Sequence, residues 1–507
     1  MKEETAFFAF EDRGMMKTKK KYVISIDQST QGTKALLFDA EGKILARRDR
    51  RHRQIVNNRG WISHDPEEIY ANVIGVIRDV LTETKLDPAQ VLTLGISNQR
   101  ETSLIWDRRT GRPLADAVVW QCARASQICE REEIVGQADL IREHTGLPLS
   151  PYFPAAKIAW LLANTKGARE LANEGLLCQG TMDSYLIYRL TGGRSYVTDY
   201  SNASRTQLFH IRDLQWDRQI CTIFGIDPVN LPRVMDSDSC FGYTDCEGIF
   251  PEEIPINSVM GDSHAALFGQ NCRSRGRVKA TYGTGSSIMM NIGDKPIRSA
   301  HGLVTSLAWG IGGEVSYVLE GNLNYTGAVI SWLKDDLKMI DSPAETEELA
   351  GQACQEDGLY LIPAFSGLGA PYWKDQVRAV IWGMDRRTGR KEVVRAGLDC
   401  IAYQICDVVR AMEADLGSRI QELRVDGGPT KNAYLMQFQS DILAAGVQVS
   451  QAEELSAIGA AYLAGLASGL WDERVFEQIS YQSYRAQMDP GRAEAKYAGW
   501  IEAIRHL

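Results

Sequence analysis

The chain has 507 residues and a formal net charge of −9, with 24% charged and 44% hydrophobic residues. A chain of this length exceeds what one hydrophobic core can organise, so we expect two large domains. The acidic balance, without a dense basic patch, argues against nucleic acid as a partner. No apolar run has the length that a membrane-spanning helix needs, so we expect no membrane-embedded segment.

The ten cysteines are scattered, without a CxxC pair or the spacing of a metal site. In a chain of this size they indicate reduced thiols rather than a disulfide framework, so we expect a cytoplasmic protein. Residues 1–20 end in a basic run and contain no hydrophobic stretch of signal-peptide length. We interpret them as an extension that precedes the first strand.

The first elements form a predicted meander of strands over Tyr22–Ile26, Lys34–Asp39 and Lys43–Arg47. No GxxxxGK[ST] string occurs in the sequence, which argues against a Walker-type nucleotide site. The polar turn at 27–33 begins instead with Asp27, at the end of a strand of the buried type. An acid in that position holds Mg²⁺ or orients a phosphate in nucleotide sites, although an aspartate there also forms ordinary Asx turns.

Farther along, Pro66–Thr84 is predicted to be helical, and Val91–Ile96 is predicted to be a buried strand that leads to Arg100 and Glu101. An Arg–Glu pair at the end of a strand can hold neighbouring hydroxyl groups, because arginine donates hydrogen bonds and glutamate accepts them. The alternative is a surface ion pair of little energetic consequence.

The stretch 259–287 carries the strongest chemical signal. Asp262 stands at the start of an apolar helical run, where a carboxylate can take a proton from an alcohol. The glycine-rich turn at 283–287 can offer backbone N–H groups to phosphates. A helix-capping aspartate and an ordinary hairpin explain the same residues equally well. The similar turns at 27–33 and 281–287 favour phosphoryl transfer, since two related halves that hold a nucleotide between paired hairpins form the actin-like arrangement.

In the second half, we interpret Leu319–Leu323 and Gly327–Trp332 as a helix start interrupted by glycine. A long amphipathic helix is predicted between Gly389 and Gly417, from apolar residues at helical spacing. A strand at Leu423–Val425 ends in Asp-Gly-Gly before a further helix, and such glycines allow a phosphate or an adenosine to approach the backbone. A bare motif of this kind more often marks a plain turn.

Several strings resemble motifs of the FGGY carbohydrate kinases, and within that family the members that phosphorylate glycerol. They include DQSTQGTKALLFD (27–39), ISNQRETSLIWD (96–107), TGLPLSPYF (145–153), GDSHAALFGQ (261–270), TYGTGS (281–286) and IPAFSGLGAPYW (362–373). The resemblance extends from residue 21 to the C-terminus. With so many motifs in the family order, chance is a poor explanation.

The resemblance implies an α/β fold with two actin-like, ribonuclease H-like domains that flank an active-site cleft. The N-terminal domain, at 21–270, would bind the polyol or sugar, and the C-terminal domain, at 271–507, would bind ATP with Mg²⁺. A primary hydroxyl of the small-molecule substrate would receive the phosphoryl group. The resemblance also implies a homo-oligomer, either a dimer or a tetramer.

The resemblance assigns site residues on both sides of this cleft. Asp262 would be the general base, and Asp27 would lie beside Mg²⁺. The substrate would be bound by Arg100, Glu101, Trp120, Tyr152, Asp262 and Ser263. The nucleotide and its phosphates would be bound by Asp27, Thr30, Gln31, Lys34, Thr284, Gly285, Gly327, Gly428 and Asn432.

Two departures from the glycerol pattern concern the size of the substrate. Members that phosphorylate glycerol carry glutamine where this chain has Ser263, and an aromatic residue where it has Ser287. Both changes shorten a side chain and enlarge the expected pocket. Because the remaining substrate residues match, glycerol is the best single prediction, and the alternative is a four- or five-carbon polyol or ketose such as erythrulose or xylulose.

Two rival functions use the same predicted fold. A catalytically silent sensor would bind a sugar or a nucleotide, but it would not need the base Asp262. A chaperone-like or actin-like ATPase would act on protein partners, but it would not need the substrate strings at 96–107 and 145–153. Hydrolysis of ATP without a polyol would favour the ATPase.

Overall fold

The computed structural model describes residues 20–354, 358–374 and 376–507, so the predicted extension at 1–20 lies outside the described residues except for Lys20. The strands of the first half are β1 (Tyr22–Gln28), β2 (Gly32–Phe38), β3 (Ile44–Arg51), β4 (Ile55–Val56), β5 (Ile62–His64), β6 (Val91–Asn98), β7 (Ser103–Asp107), β8 (Ala117–Val118), β9 (Leu177–Thr181), β10 (Val197–Asp199), β11 (Phe209–His210), β12 (Gln215–Trp216), β13 (Arg233–Met235), β14 (Tyr243–Thr244) and β15 (Ile254–Gly261). Its α-helices are α1 (Pro66–Thr84), α2 (Ser126–Cys129), α3 (Glu132–Val135), α4 (Ala138–Thr145), α5 (Pro154–Asn164), α6 (Ala168–Asn173), α7 (Met182–Leu190), α8 (Tyr200–Ala203), α9 (Arg218–Phe224) and α10 (Asp262–Gly269).

The strands of the second half are β16 (Val278–Tyr282), β17 (Ser286–Gly293), β18 (Val304–Ile311), β19 (Glu314–Leu323), β20 (Tyr360–Ile362), β21 (Val380–Trp382), β22 (Glu422–Asp426), β23 (Gly446–Ser450) and β24 (Tyr481–Tyr484). Its α-helices are α11 (Gly327–Ser331), α12 (Glu345–Gln352), α13 (Arg390–Leu416), α14 (Ala433–Leu443), α15 (Leu455–Ala467) and α16 (Pro490–Arg505). A π-helical turn at Trp332–Asp336 continues α11, and a 3₁₀ turn at Gly428–Lys431 precedes α14.

The two large sheets repeat one topology. In the first half the strand order is β14-β15-β6-β1-β2-β3, in which β1, β2 and β3 form an antiparallel meander and β6 and β15 run parallel to β1. In the second half the order is β18-β19-β17-β16-β22-β23-β24, in which β16, β17 and β19 form the meander and β22 and β23 run parallel to β16. The similarity predicted for the two hairpin turns therefore extends to the whole sheets that carry them.

Local sequence explains the helices that cover these sheets. Helix α1 begins where the Asp65 side chain accepts a hydrogen bond from the Glu67 N–H, and it ends at Lys85 in the left-handed conformation. Helix α13 runs between Gly389 and Gly417 as predicted, and apolar residues line its buried side. Each helix buries an apolar stripe against its own sheet, so each half has a hydrophobic core.

Helix α15 joins the two halves. It lies between β23 and β24 of the second sheet in the chain, yet it packs against β1, β6 and α10 of the first half. Glycine makes this approach possible: a Cβ atom on Gly459 would overlap the carbonyl oxygen of Ala265 in α10, and one on Gly95 would overlap that of Ala460. The apolar residues between the halves form a core of their own.

The prediction of a helix start at Leu319–Leu323 is wrong, because these residues form the end of strand β19. Gly321 therefore does not interrupt a helix. A Cβ atom there would lie 2.5 Å from Cγ1 of Val408 in α13, so the glycine lets this helix pack closely on the sheet. The predicted helix start at Gly327 is confirmed. Within the part of the chain that the structure describes, no helix combines the length and apolar character needed to span a membrane.

Candidate active site

The parallel strands of the first sheet bring three chain segments to one edge. Asp27 pairs in register with Ser97, and Asn98 pairs with both Gln28 and Gly261, so β1, β6 and β15 end side by side. The residues that follow these ends therefore share one cleft wall. Asp27, Arg100 and Asp262, which lie far apart in sequence, are all part of it.

Asp262 is the first residue of α10, and its side chain is 35% exposed toward the cleft. Its Oδ1 accepts a hydrogen bond from the backbone N–H of Ser263 at 2.6 Å and lies 3.2 Å from Nε of Arg100. The carboxylate is thus fixed in direction while one side stays open. An oriented and accessible carboxylate is what proton removal from a bound alcohol requires.

Arg100 is buried between two acids from different halves of the chain. Its guanidinium donates to both carboxylate oxygens of Glu320, at 2.8 and 3.1 Å, while its Nε faces Asp262. Burial alone would lower the pKa of Arg100, but Glu320, Glu101 and Asp262 together hold that pKa well above its usual value. Arg100 is therefore a permanent cation beside Asp262.

Glu101 occupies a strained backbone position at the same edge. Its φ angle is +60°, in the left-handed region that favours glycine, and its side chain is buried. Nε of Arg205 donates to Glu101 Oε1 at 2.6 Å, and Ser103 donates to the Glu101 carbonyl oxygen at 3.0 Å. These contacts hold the carboxylate against the strain.

Trp120 and Tyr152 form an aromatic wall next to the charged group. Their ring centroids are 5.6 Å apart, and Trp120 Nε1 donates to Oγ1 of Thr30 at 2.9 Å. This bond ties the aromatic wall to the turn that follows β1. The buried Lys157 donates to the Tyr152 carbonyl oxygen, and burial lowers the pKa of this lysine to about 7.

Asp27 has the surroundings of a cation-binding carboxylate. Burial, opposed by Lys34 and assisted by the negative charge of Asp262, raises its pKa to about 6. Ser97 donates to its Oδ1 at 3.0 Å, and Lys34 Nζ lies 3.8 Å from its Oδ2. The carboxylates of Asp27 and Asp262 repel each other. They fit Mg²⁺, which prefers carboxylate oxygens as ligands and would reduce this repulsion. Lys34 also binds Glu454 at 2.6 Å.

The turn at 283–285 faces the start of α11. The backbone N–H of Gly327 donates to the Gly283 carbonyl oxygen at 2.9 Å, and that of Ala328 donates to the Thr284 carbonyl oxygen at 3.1 Å. A Cβ atom on Gly285 would overlap the Leu323 carbonyl oxygen, and one on Gly327 would lie 2.7 Å from the Gly283 oxygen. These glycines let the turn and the helix meet.

The space beyond this turn is open. Gly428 is exposed, and a Cβ atom placed on it would meet no atom within 4 Å. Thr284 and Gln31 are also exposed, whereas both polar groups of the Asn432 side chain already have protein partners. Its Oδ1 caps α14 through the Leu435 N–H, and its Nδ2 donates to Thr346.

The structure adds residues that the sequence analysis did not assign. Glu320 and Arg205 are buried within the charged group. Arg205 lies in the string TDYSNASRTQLF (198–209), which also resembles a family motif, and Glu320 is an acid inside a strand, so the sequence gives only weak signals for them. His264 is buried, and neither ring nitrogen has a hydrogen-bond partner among the described residues. Burial and the nearby Arg100 hold its pKa well below the usual value, which makes it a neutral neighbour of Asp262.

Comparison with known proteins agrees with this geometry. The N-terminal domain model of the FGGY family of carbohydrate kinases matches residues 22–269, and the C-terminal domain model matches residues 278–468. The chain belongs to the FGGY family of carbohydrate kinases. The predicted family and the predicted fold, with two actin-like domains around a cleft, are thereby confirmed, and the protein is an ATP-dependent kinase of that family.

Among the relatives of this FGGY kinase are several glycerol kinases. It is 46% identical over 489 residues to glycerol kinase 2 of Thermotoga maritima, covering 96% of this chain and 98% of that protein. It is likewise 46% identical to a glycerol kinase of Alkaliphilus oremlandii, covering 96% and 97%. A crystal structure of Plasmodium falciparum glycerol kinase with ADP superposes with a TM-score of 0.91 at 35% identity, covering 96% of this chain and 98% of that one. A xylulose kinase from Lactobacillus acidophilus, at 22% identity and a TM-score of 0.86, shows the fold alone.

Proposed function

We propose that this FGGY kinase transfers the γ-phosphoryl group of ATP to a primary hydroxyl of glycerol, forming glycerol 3-phosphate. The observation that carries the proposal is the Asp262 carboxylate, which is open to the cleft and lies 3.2 Å from the Arg100 cation. The choice of glycerol is supported by near full-length similarity to proteins named glycerol kinase.

The substrate is held by groups on the first half of the chain. Arg100 donates hydrogen bonds to hydroxyl groups and Glu101 accepts them, while Trp120 and Tyr152 cover the carbon atoms. Asp262 accepts the proton of the hydroxyl that attacks the γ-phosphorus, and the bond from that phosphorus to the β,γ-bridging oxygen breaks, releasing ADP. The Ser263 side chain, next to the base, completes this side of the pocket.

The phosphates lie between the two turns. Thr30, Gln31 and Lys34 approach them from the first half, and Thr284 and Gly285 approach them from the second. Gly327, Gly428 and Asn432 lie on the nucleoside side. Asp27 is the residue that would hold Mg²⁺, and bound Mg²⁺ supplies charge neutralisation to the phosphate oxygens.

A second candidate is a four- or five-carbon polyol or ketose. The observation that favours it is the size of Ser287, whose Oγ lies 3.4 Å from Glu320 Oε1 and so stands beside the charged group that holds Arg100. With Ser263 also short, the pocket has room for a longer carbon chain. A hydroxyl of that chain would face polar side chains there.

The deciding experiment is ADP release with MgATP and a panel of glycerol, dihydroxyacetone, erythritol, threitol, erythrulose, xylitol, xylulose and ribulose. The highest kcat/KM for glycerol supports the proposal. A longer substrate that wins by tenfold or more, about 1.4 kcal/mol of transition-state discrimination, assigns the second candidate instead. Steady ADP release without any polyol would indicate an ATPase and contradict both.

Asp262→Asn tests the role of the base. Removing a general base typically costs about 10²–10⁴-fold in turnover, so we expect a kcat loss in that range for the best substrate. Binding of ADP, measured by calorimetry, should persist because the nucleotide lies on the other wall. Turnover within a factor of about two of the parent enzyme would exclude the assigned role.

We further infer a division of the chain at residue 270 into a substrate-binding domain (21–270) and an ATP-binding domain (271–507). The repeat of sheet topology supports this division, although α15 packs on the first sheet. From family membership we also infer a cytoplasmic homodimer or homotetramer. Sedimentation equilibrium of the purified chain tests the assembly, and a monomer at micromolar concentration would contradict it.

A further inference from the structure

Two histidines and an aspartate to which phosphoryl transfer gives no role meet in the first half of the chain. His144 lies in the last turn of α4, His210 ends the short strand β11, and Asp217 immediately precedes α9. One possible ligand atom from each side chain lies within 4.8 Å of the other two. The histidine rings are in contact, with centroids 4.5 Å apart.

His144 and His210 are half-buried, Asp217 is buried, and backbone groups around them hold them in place. Asp217 is buried; its Oδ1 accepts the Ile220 N–H at 2.9 Å, which directs Oδ2 toward His144 Nδ1 at 2.7 Å. The Ile211 N–H donates to the His144 carbonyl oxygen at 3.0 Å and so fixes α4 against β11. The carboxylate and the rings therefore converge before any ligand is present.

We propose that His144, His210 and Asp217 bind one divalent transition-metal ion, for which zinc is the best match. Imidazole nitrogens with a carboxylate oxygen are a common zinc donor set, with bonds of about 2.0–2.2 Å and a tetrahedral geometry that places donors roughly 3.3 Å apart. The possible ligand atoms lie within 4.8 Å of one another here, so the side chains must move to reach this spacing. The bond between His144 and Asp217 opens slightly to admit the ion, and water from the exposed side of His144 supplies the fourth ligand.

Each histidine ring can keep one proton while its other nitrogen binds the metal. His144 moves its proton from Nδ1 to Nε2, which frees the Nδ1 lone pair for the metal. His210 Nδ1 accepts a hydrogen bond from the Asp213 backbone N–H at 3.1 Å, so the proton of the neutral ring is on Nε2. When Nε2 binds the metal, this proton moves to Nδ1, which exchanges the backbone bond for the Asp213 carboxylate, 3.6 Å away. An outer carboxylate that orients a ligand histidine is a usual feature of metal sites.

A simple structural histidine–aspartate pair is the competing explanation, and the chain contains a matched example. His301 Nδ1 lies 2.7 Å from Asp415 Oδ1, the same distance as between His144 and Asp217. Among the described residues, however, this pair has no third side chain that could complete a metal site. His301 thus provides a control with the same pair and without the third ligand.

The test is calorimetric titration of ZnCl₂ into the metal-stripped full-length chain, in a buffer without phosphate. We expect one zinc per chain, with affinity at least about tenfold weaker in His210→Ala and in His210→Asn, given that even outer-ligand changes cost 10- to 100-fold. His301→Ala should bind zinc like the parent. Circular dichroism checks that each variant is folded, and Co²⁺ substitution should give the visible absorption of a tetrahedral site.

Two results would overturn the proposal. One is no zinc binding by the parent at micromolar concentration. The other is equal binding by the parent and by folded His210→Asn, which would move the metal to another part of the chain. Because the readout is metal binding and not turnover, the result is independent of which sugar or polyol the kinase phosphorylates.

Discussion

At the scale of single residues, Glu320 fixes the direction of the Arg100 guanidinium. It is buried on β19 of the second half, and it receives hydrogen bonds from Arg100 across the cleft floor. Nη1 of Arg205, also from the first half, lies 2.8 Å from Oε2 of Glu320, which Arg100 contacts as well. Burial would raise the pKa of Glu320, but the two arginines hold that pKa well below its usual value.

Glu320→Gln should weaken substrate binding more than it slows the chemical step. The amide keeps the size but loses the charge that orients Arg100, and misplacing a binding group costs up to about 10²-fold. We expect KM for the polyol to rise roughly 10- to 100-fold with a smaller change in kcat. Breaking a buried pair also costs about 3–5 kcal/mol of stability, which thermal unfolding will record.

Glu422→Gln is the matched control for this change. Glu422 also contacts two arginines, Arg277 at 3.3 Å and Arg424 at 3.0 Å, but at a more exposed place away from the charged group. It should change KM for the polyol little. If both variants raise KM equally, the effect comes from general destabilisation, and the positioning role of Glu320 is wrong.

The raised pKa of Asp27 affects both the stability of the fold and the binding of a cation at acidic pH. Its pKa is about 6 in the folded protein and 3.8 for the ordinary side chain, so folding takes up a proton in that window. This group therefore favours the folded state at low pH, and its contribution falls as the pH rises from 3.8 through 6. For function the sign is opposite, since the ionised form is the one that binds a cation.

We accordingly expect kcat/KM for MgATP to fall below about pH 6. Lys34 lowers the pKa of Asp27, so Lys34→Met should move this acid limb to higher pH, in addition to any loss of rate. The exposed Lys43→Met is the control and should leave the limb in place. A limb that stays fixed, or moves to lower pH, in Lys34→Met would show that Asp27 does not control it.

At the scale of elements, each large sheet presents one hairpin turn to the cleft. The turns between β1 and β2 and between β16 and β17 occupy the same place in the repeated topology. The second turn meets α11 through Gly285 and Gly327, where side chains would collide with backbone. At Gly428 the space is free, so a Cβ atom there would meet no protein atom within 4 Å.

Gly428→Ala separates nucleotide binding from folding. The added methyl group meets no protein atom within 4 Å, so the melting temperature should change little. If the nucleoside lies against Gly428, KM for ATP should rise about tenfold or more, since overpacking a close contact costs roughly 1–3 kcal/mol. Steady-state kinetics with varied ATP measure this effect.

The control is Gly351→Ala, at an exposed position of helix α12, where the new methyl group is also free of contacts. It should stabilise the protein by roughly 0.5–1 kcal/mol through helix propensity and leave KM for ATP unchanged. An unchanged KM in Gly428→Ala as well would place the nucleoside elsewhere.

At the scale of the whole molecule, α15 couples the two halves. It belongs to the second half in sequence and packs on the first sheet and on α10. The contact between Gly459 and the Ala265 carbonyl oxygen leaves no room for a side chain. Movement of one half against the other must therefore preserve this helix–helix contact or pivot near it.

Gly459→Ala should loosen this junction. The methyl group would overlap backbone, at a cost of about 1–3 kcal/mol, which exceeds the helix-propensity gain of about 1 kcal/mol over most of that range. Differential scanning calorimetry should show a lower melting temperature and, where the coupling is weakened, a separation into two transitions. A melting temperature equal to or above that of Gly351→Ala would contradict the packing of α15.

Local sequence was sufficient for many elements. The helix between Gly389 and Gly417, the strand that begins at Tyr22 and the helix Pro66–Thr84 depend on periodicity and end signals that act within a few residues. The family motifs also placed Asp27, Arg100 and Asp262 in one site, and the structure brings them to one sheet edge. Their roles in catalysis remain predictions.

What the sequence by itself determined is thus the family and the fold class, because contiguous motifs carry both. Only the tertiary structure decided the buried partners. Arg100 and Glu320 are 220 residues apart in sequence, and His144 and Asp217 are 73 apart. The local sequence predicts a helix at Leu319–Leu323, the end of strand β19, for the same reason. Sheet pairing and the packing of α13 depend on residues far along the chain, and no local pattern encodes such contacts.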